Sequence, residues 1–315
     1  MSLYATVKRW PSLTDGGCRV TRQAISPLIV LGSGYTGRVL QSMGALQGRT
    51  IQATSRNPLN NLADDPSERR LKFDLGQPST WLNIPAQADL IWCFPAAPLE
   101  QVQAFARMLD APPRRIVILG STSAYEVSDD SNEYPPSWID ESAPIDLSKS
   151  RVQGEEYLRE HHGVIVLRVA GIYGPGRNPL DWIRQGRIGP SRKYVNLIHV
   201  EDLAAICLLE LEKGKPGEIY NVSDGRPYLW SEICATAQQR WGVAATPVKE
   251  DRSSGKRIST AKLRADLGYA LRHPDLYEAL ASIESAGGVE TQDGQNGFHR
   301  GQRRDGTGGA PSGGN

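Results

Sequence analysis

The sequence predicts an α/β fold built on a doubly wound parallel sheet, with a smaller C-terminal substrate-side region. The apolar run at residues 28–31 leads directly into glycines spaced G-x-G-x-x-G, at Gly32, Gly34 and Gly37. Short apolar runs then alternate with helix-patterned segments, which is typical of parallel strands joined by right-handed helical crossovers. With 315 residues, the chain is long enough for one large domain and a smaller partner. The predicted fold is therefore Rossmann-like.

The predicted elements follow one another in the order that such a sheet requires. After the strand at 28–31, strands are predicted at 49–54, 71–74, 89–94, 115–120 and 163–168, and helices at 38–46, 100–110, 148–160 and 203–213. After Gly171 the pattern becomes irregular, and the run Gly174-Pro175-Gly176 marks a loop. The substrate-side segments are expected from there on, although late strands in such folds usually return to the main sheet.

Four segments are predicted along the chain. Residues 1–26 form an irregular N-terminal extension, 27–173 the NAD(P)-binding Rossmann domain, 174–286 the smaller region, and 287–315 a disordered Gly-rich tail. The extension contains Lys and Arg but no apolar core of a secretory signal. It is poor in acid, as a transit peptide is, but an irregular extension or a start codon placed too early is the favoured explanation. The tail contains almost no large apolar residue and cannot bury enough surface to offset its ordering entropy.

Charge and cysteine usage exclude several classes of partner. The net charge is +1 and both signs are spread along the chain, which predicts neither a nucleic-acid nor a membrane partner. No apolar run approaches the roughly 20 residues that span a bilayer. The four cysteines are far apart and lack C-x-x-C spacing, which predicts reduced thiols, a cytoplasmic location and no zinc site. A small-molecule substrate is expected, with a homodimer as one candidate assembly.

The glycine-rich segment predicts dinucleotide binding. The first glycine permits the turn, the second lets the backbone approach the phosphates, and the third lets helix and strand pack closely. The amides at the following helix N-terminus face the anion. The residues expected at the pyrophosphate are Gly32, Ser33, Gly34, Tyr35, Thr36 and Gly37.

The end of the second strand predicts NADP(H) in preference to NAD(H). An acidic residue at this position holds the ribose 2′-hydroxyl of NAD, whereas an arginine accommodates a 2′-phosphate. Residues 53–60 contain no acid, and Arg56 lies about 20 residues past the glycines. Ser55 adds a neutral hydrogen bond. The alternative is that Arg56 is an ordinary solvated loop charge.

Six segments match the motifs of one family, in family order and across residues 28–285. They are the glycine motif at 32–37, F-D-L at 73–75, G-S-T-S-A-Y at 120–125, L-R-x-x-G-I-Y-G-P-G-R at 167–177, N-L-I-H-V-E-D-L-A at 196–204, and Y-N-V-S-D-G-R-P at 220–227. On these residues the chain resembles the extended and atypical short-chain dehydrogenase/reductases, also called the NAD-dependent epimerase/dehydratase family.

The resemblance assigns roles to further residues. It implies that Asp74 contacts the adenine and that the loop containing Phe94 and Pro95 borders the nicotinamide ribose. Ser121 falls at the catalytic Ser/Thr position, where a hydroxyl stabilises charge developing on a substrate oxygen. The alternative is that Ser121 only turns the chain at the end of its strand, as serine often does.

The catalytic Tyr-x-x-x-Lys pair of the family is missing. In that pair, one helical turn apart, the lysine lowers the pKa of the tyrosine, which then exchanges the proton. In one register the tyrosine and lysine positions hold Leu147 and Arg151, and in the other the tyrosine position holds Ile145. Arg151 is still expected to bind ribose hydroxyls or phosphate as a permanent cation. Tyr4-x-x-x-Lys8 matches the pattern literally, but it lies before the first strand and is interpreted as chance.

Another group must therefore move the proton if chemistry remains. Tyr125 is the predicted donor, with Ser121 polarising the substrate. Arg177 is either a substrate anion contact or a plain loop charge, and His199 is either a structural or a catalytic histidine. Glu201 and Asp202 are expected to cap the helix that follows them.

Three functions stay open at this point. The first is an NADP(H)-dependent oxidoreductase acting on a small substrate, for which a sugar-like compound is one candidate. The second is an NADP(H)-binding sensor or scaffold without hydride chemistry. The third is a nucleotide-sugar epimerase or dehydratase, against which the missing tyrosine argues most directly because its 4-keto intermediate needs that base.

Overall fold

The computed structural model describes residues 26–109, 115–126, 133–247 and 254–296. The predicted N-terminal extension lies outside the described residues except for residue 26, as does the predicted tail from residue 297 on. Within the described ranges no helix combines the length and the apolar character needed to cross a bilayer.

The strands and helices alternate along the chain as the sequence predicts. The strands are β1 Leu28–Leu31, β2 Ile51–Ser55, β3 Arg70–Lys72, β4 Asp89–Trp92, β5 Arg115–Ser121, β6 Trp138–Ile139, β7 Ile165–Val169, β8 Gly171–Tyr173, β9 Tyr194–Val195, β10 Leu197–His199, β11 Ile219–Val222, β12 Tyr228–Leu229 and β13 Arg257–Ile258. The helices are α1 Tyr35–Leu46, α2 Pro58–Asn61, α3 Leu99–Arg107, α4 Ser150–His162, α5 Pro179–Arg184, α6 Val200–Lys213, α7 Trp230–Trp241, α8 Ala261–Leu267 and α9 Leu276–Asn296.

Seven strands form one parallel sheet in the order β11-β7-β5-β4-β1-β2-β3. The order reverses direction at β1, so helices cover both faces. Helices α1 and α6 pack on one face, and α3 and α4 pack on the other. The predicted Rossmann-like α/β fold is confirmed.

The first strand shows why the sheet is buried on both faces. All four residues of β1 are completely buried, with side chains alternating between the two sides. Leu28 and Val30 belong to the core beneath α1 and α6, whereas Ile29 and Leu31 belong to the core beneath α3 and α4. A continuous apolar run is the pattern that such two-sided burial requires.

The smaller region has a core of its own. Its buried side chains come from β8, α5, β12, α7 and α9 and include Tyr173, Leu180, Tyr228, Ile233 and Leu280. Strand β11 lies within the range predicted for this region, but it pairs with β7 at the edge of the main sheet. Helix α9 continues to Asn296, so the predicted start of the tail at residue 287 falls inside a helix.

Helix α6 begins three residues earlier than predicted because a histidine caps it. His199 Nδ1 accepts the Glu201 backbone N–H at 3.3 Å, so the cap comes from His199 and not from the acids that follow it. Asp202 is fully buried, and its carboxylate contacts the segment before α9. It accepts the Tyr269 hydroxyl and the backbone N–H groups of Arg272 and His273, thereby fixing the segment before α9 to α6.

Glu210, on α6, makes stability dependent on pH. The residue is fully buried, and neither of its carboxylate oxygens has a hydrogen-bond partner among the described residues. Burial, followed by the nearby Asp266 carboxylate, raises the pKa of Glu210 to about 7. The folded state therefore holds this proton more tightly than the unfolded state, and stability falls as the pH rises from about 4.5 to about 7.

We expect Glu210→Gln to stabilise the protein at pH 8 by about 1–3 kcal/mol and to leave it little changed at pH 4.5. The measurement is urea unfolding across that pH range. Glu212→Gln is the matched control, because Glu212 is exposed two residues further along α6. Burial also raises the pKa of Asp224 to about 7, so the variant is expected to flatten the pH dependence only in part. An unchanged slope would contradict this account of Glu210.

Candidate functional site

A cavity of about 650 Å³ opens at the carboxyl ends of β1, β2 and β3. Predicted cofactor residues that line it are Gly32, Ser33, Gly34, Ser55, Arg56, Asp74 and Phe94. The other lining residues are Arg38, Thr54, Asn61, Phe73, Leu75, Gly76, Ala97 and Gln101. Of these, Phe73 and Leu75 belong to the F-D-L motif and Ala97 to the loop that contains Phe94 and Pro95. The cavity lies at the point where the strand order reverses, which is where this fold binds ligands.

The glycine loop has the geometry that a pyrophosphate needs. Gly32 adopts a φ of +98°, a conformation that favours glycine, and its N–H donates to Thr54 Oγ1 at 3.0 Å. A Cβ built on Gly37 would lie 2.2 Å from the Gly32 carbonyl oxygen, so helix α1 packs directly on the turn. Space around Gly34 is open, and Gly34 offers no side-chain cap to α1. The first-turn N–H groups of α1 are thus available to an anion.

The end of β2 gives the cavity a cationic wall. Arg38 and Arg56 both line it and are exposed, and Arg38 Nη2 donates to the Asn61 carbonyl oxygen at 3.4 Å. Ser55 Oγ accepts from Asn61 Nδ2 at 2.8 Å and from the Asn57 N–H at 3.1 Å. Ser55 therefore fixes the segment 57–61, which follows Arg56 and contacts Arg38. Arg38 directly follows the glycine motif, and its helical position gave no separate signal in the sequence.

Asp74 is the single carboxylate among the residues that line the cavity. Its Oδ1 accepts the Gly76 N–H at 2.9 Å, and its carbonyl oxygen accepts the Trp81 indole N–H at 3.0 Å. These contacts hold the turn after β3 in place and put Asp74 at the cavity surface. The adenine contact that the resemblance implies for Asp74 stays a prediction.

The segment after β4 is packed tightly against α4. A Cβ on Gly154 would lie 2.0 Å from the Ala96 carbonyl oxygen, so only glycine fits at this contact. Phe94 lines the cavity and Pro95 is exposed beside it. This contact places the first turn of α4 next to the predicted nicotinamide end of the site.

The positions of the missing pair lie at the start of α4. Leu147, three residues before the helix, is 56% exposed and offers no proton. Arg151 lies in the first turn, and its Nε donates to the buried Glu155 at 3.1 Å. Its Nη2 reaches the Leu119 carbonyl oxygen, near the end of β5, at 3.5 Å. Arg151 therefore faces the carboxyl edge of the sheet, where its predicted cofactor contact would be made.

Tyr125 has its hydroxyl turned away from the surface. The residue is 1% exposed, and the hydroxyl donates to Asn221 Oδ1 at 2.6 Å, with the Arg168 guanidinium 5.2 Å from the ring centroid. Burial raises the pKa of Tyr125 well above its usual range. A phenol held in this way is poorly suited to exchange a proton with a substrate. The geometry thus argues against the predicted role of Tyr125, because its hydroxyl is committed to strand β11.

Ser121 ends strand β5 and turns the chain, which is the structural role that the sequence offered as the alternative to a catalytic one. Its Oγ accepts the Ser123 N–H at 3.1 Å at the start of a 3-10 turn at Thr122–Ala124. Since Oγ is the acceptor in this contact, its own O–H proton remains a donor. The structural and the chemical interpretations of Ser121 are therefore compatible.

Two lysines bracket this turn: Lys149, which holds the lysine position in the register that starts at Ile145, and Lys256, which sequence reasoning missed. Lys149 Nζ donates to the Ser123 carbonyl oxygen at 2.7 Å. Lys256 Nζ donates to the carbonyl oxygens of Thr122 at 3.0 Å and of Tyr125 at 2.7 Å. Burial, followed by the charge of Lys149, lowers the pKa of Lys256 to about 8. Lys256 lies 131 residues from Tyr125 in the chain, so no local pattern could have revealed the contact.

Comparison with known proteins agrees with the motifs. No family model matches the chain. Among curated proteins, "Protein YeeZ" of Escherichia coli K12 is 28% identical over 170 residues, which is 51% of this chain and 59% of YeeZ. A "dTDP-glucose 4,6-dehydratase" of Streptomyces antibioticus is 25% identical over 71% of this chain and 77% of its own length. The chain thus spans less than two thirds of YeeZ.

Solved structures match over most of the chain. A candidate NAD-dependent epimerase/dehydratase of Methylobacillus flagellatus has a TM-score of 0.66 and 26% identity over 83% of this chain and 98% of that one. The resemblance to the atypical short-chain dehydrogenase/reductases is confirmed. A superfamily member of Agrobacterium tumefaciens with bound NAD has a TM-score of 0.70 at 15% identity, covering 85% of this chain and 99% of that one. The human epimerase family protein SDR39U1 with NADPH has a TM-score of 0.63 at 19% identity, covering 82% of this chain and 98% of that one.

These likenesses agree with the motifs. Two relatives of at least 25% identity are named for an activity, a candidate NAD-dependent epimerase/dehydratase and a dTDP-glucose 4,6-dehydratase, so the chain is similar to NAD(P)-binding epimerases and dehydratases. Of the two solved structures named with a cofactor, one contains NAD and the other NADPH. The choice between them therefore depends on the residues of this chain.

Two further predicted residues lie beside the glycine loop. The exposed Arg177 has its guanidinium carbon 5.9 Å from the centroid of the Tyr35 ring, and its role as a substrate contact stays a prediction. His199 is buried and packs edge-on against Tyr173. Burial, followed by the charge of His273, lowers the pKa of His199 to about 4. Together with its capping bond, this favours the structural interpretation of His199 over the catalytic one.

Proposed function

We propose that the chain binds NADP(H) and uses it for oxidoreductase chemistry on a small substrate in the cytoplasm, with a sugar-like compound as one candidate. The observation that carries the cofactor choice is the pair of exposed arginines, Arg38 and Arg56, at the end of β2. Guanidinium groups bind phosphate oxygens through several hydrogen bonds at once. An acid for the 2′-hydroxyl of NAD is missing from residues 53–60.

The residues that line the cavity fit the adenosine and pyrophosphate portions of the cofactor. The glycine loop and the first turn of α1 would hold the pyrophosphate, and the arginines the 2′-phosphate. Asp74 would contact the adenine, and Arg151 the ribose nearer the nicotinamide. Bound NADP(H) would supply or accept the hydride.

The proton must come from a residue other than the missing tyrosine. We assign this role to Lys256, because a pKa of about 8 lets its ammonium group exchange a proton near neutral pH. Two carbonyl acceptors on the turn after Ser121 hold the ammonium group in place. Lys149, which precedes α4 and pairs with Asp146 at 3.1 Å, also donates to this turn, and its ammonium group would add positive charge near a substrate oxygen. The Ser121 hydroxyl would orient that oxygen.

The test is NADPH-dependent turnover on a panel of small aldehydes, ketones and sugars. Lys256→Met is expected to lower kcat by roughly 100-fold or more while leaving the Kd of NADPH unchanged. With Lys256 as the acid, kcat for reduction in the wild type is expected to fall as the pH rises through about 8. Tyr125→Phe is expected to keep most of the activity, because the Tyr125 hydroxyl faces Asn221.

Lys215→Met is the matched control, because Lys215 is 69% exposed and contacts Asp266, away from the turn. Unchanged turnover in Lys256→Met would remove the assignment of Lys256. Loss of turnover in a folded Tyr125→Phe variant would instead restore Tyr125 as the donor.

A second candidate function is NADP(H) sensing without hydride chemistry. It is favoured by the exposed Leu147 at the tyrosine position and by the inward-facing Tyr125. It predicts tight NADPH binding, no turnover anywhere on the panel, and a protein partner recovered only when NADPH is bound. Nucleotide-sugar epimerase or dehydratase chemistry is less favoured, because no phenol occupies the position of its base.

A further inference from the structure

A cluster of potential metal ligands joins the start of α6 to the segment before α9 and takes no part in the proposed reaction. One ligand atom each from His199, Glu201 and His273 lie within 4.8 Å of one another. His273 Nε2 is 3.0 Å from Glu201 Oε2, and the two imidazole rings are 3.7 Å apart between centroids. We propose that these three residues bind a divalent transition-metal ion of the zinc type.

The donor set selects the class of metal. Two imidazoles and one carboxylate are ligands that zinc takes in sites with three protein ligands and one open position. Magnesium and calcium instead prefer all-oxygen sites, so they fit this set poorly. The cysteine spacing predicted no zinc site, and this cluster uses no cysteine.

The cluster is held in place before any ion binds. Both oxygens of the buried Asp202 are engaged by the segment that carries His273, since Oδ1 accepts the Arg272 N–H at 2.7 Å and Oδ2 the His273 N–H at 3.0 Å. These bonds fix the backbone of His273 opposite the start of α6. His199 and Glu201 are fixed by the end of β10 and the first turn of α6. The backbones that carry the three ligands are therefore ordered before an ion binds. His199 would give up its Nδ1 bond to the Glu201 N–H in order to offer a ring nitrogen to the metal.

Reaching bonding geometry requires the two imidazole rings, which lie 3.7 Å apart between centroids, to swing apart until a ring nitrogen of each points at the metal. Zinc–nitrogen and zinc–oxygen bonds of about 2.0–2.2 Å at tetrahedral angles separate the ligand atoms by roughly 3.3–3.6 Å. The Glu201 and His273 side chains are 41% and 27% exposed, so they have room to close on the buried His199. The metal would join the start of α6 to the segment before α9.

Metal binding to the full-length protein tests this directly. After removal of metals with EDTA, Zn2+ and Co2+ are titrated separately, and binding is followed by calorimetry and by the visible absorption of Co2+. We expect one equivalent of Zn2+ to bind. We also expect His273→Gln and Glu201→Gln each to weaken binding by about 100-fold or more, since even changes outside the ligand set cost 10–100-fold.

Two features keep this test decisive. His273→Gln retains the backbone N–H that Asp202 accepts, so metal-free unfolding should match the wild type and show that the variant is folded. The control His161→Gln replaces an exposed histidine on α4 and should bind Zn2+ like the wild type. The proposal would be overturned if the wild type failed to bind an equivalent of Zn2+. It would also be overturned if both ligand variants bound Zn2+ as tightly as the wild type. The cluster would then be a hydrogen-bonded ion pair only.

Discussion

Gly37→Ala is expected to destabilise the protein severely, whereas Gly34→Ala is expected to leave the fold intact and to weaken NADP(H) binding at least 100-fold. A Cβ on Gly37 would lie 2.2 Å from the Gly32 carbonyl oxygen and 3.3 Å from Val30 Cγ1. Because the nearest atom belongs to the backbone of the turn, relief requires helix α1 to move off the sheet. Overpacking of this kind costs about 3 kcal/mol or more.

Gly34 lies in the same glycine motif, but its replacement is expected to affect cofactor binding and not stability. Among the described residues, no atom outside its own chain neighbours lies within 4 Å of a Cβ built there, and its φ of −73° suits any residue. A methyl group would instead fill the space through which the backbone approaches the pyrophosphate. We therefore expect Gly34→Ala to unfold like the wild type and to bind NADPH at least 100-fold more weakly, the equivalent of about 2.7 kcal/mol.

Urea unfolding without cofactor and NADPH titration of the same samples separate the two effects. Wild-type stability in Gly37→Ala would show that the turn and α1 are not packed as described. Wild-type NADPH affinity in Gly34→Ala would place the pyrophosphate elsewhere. The pair thus distinguishes a glycine needed for packing from a glycine needed for ligand approach.

The central sheet was predictable because its signal is local. Residues 28–31 are apolar without interruption since both faces of β1 are covered, and the glycines that follow encode the turn directly. The boundaries were less predictable where a long-range contact sets them. Strand β2 begins at Ile51, two residues later than predicted, because the Arg49 side chain forms a buried ion pair with Asp89 on β4.

The chemistry of the site was only partly predictable, because some of its residues are positioned by long-range contacts. Ser55 and Arg56 could be found because they follow a strand at a fixed distance from the glycines. The orientation of Tyr125 depends on Asn221, and the place of Lys256 depends on carbonyl groups 131 and 134 residues away. Residue type and spacing alone made Tyr125 the best donor, whereas tertiary contacts turn it inward and bring in the lysine.

Replacement of both cavity arginines is expected to convert a preference for NADPH into indifference between NADPH and NADH. Arg38 and Arg56 approach the same end of the cavity from α1 and from the loop after β2, and both are exposed there. A charge-assisted hydrogen bond contributes about 1.5–3 kcal/mol, so each arginine should account for roughly 10–100-fold in affinity for a 2′-phosphate. We expect Arg38→Ala/Arg56→Ala to weaken NADPH by about 100–1,000-fold and NADH by less than threefold.

The comparison of the two cofactors locates the charge that the arginines contact. Fluorescence titration gives both Kd values for the wild type, for each single variant and for the double variant. Arg107→Ala on the exposed face of α3 controls for the loss of a positive charge. Only the 2′-phosphate distinguishes NADPH from NADH, so a selective loss assigns the arginines to it. Equal weakening of both cofactors would instead assign them to the shared pyrophosphate, and the preference for NADP(H) would then have no residue to support it.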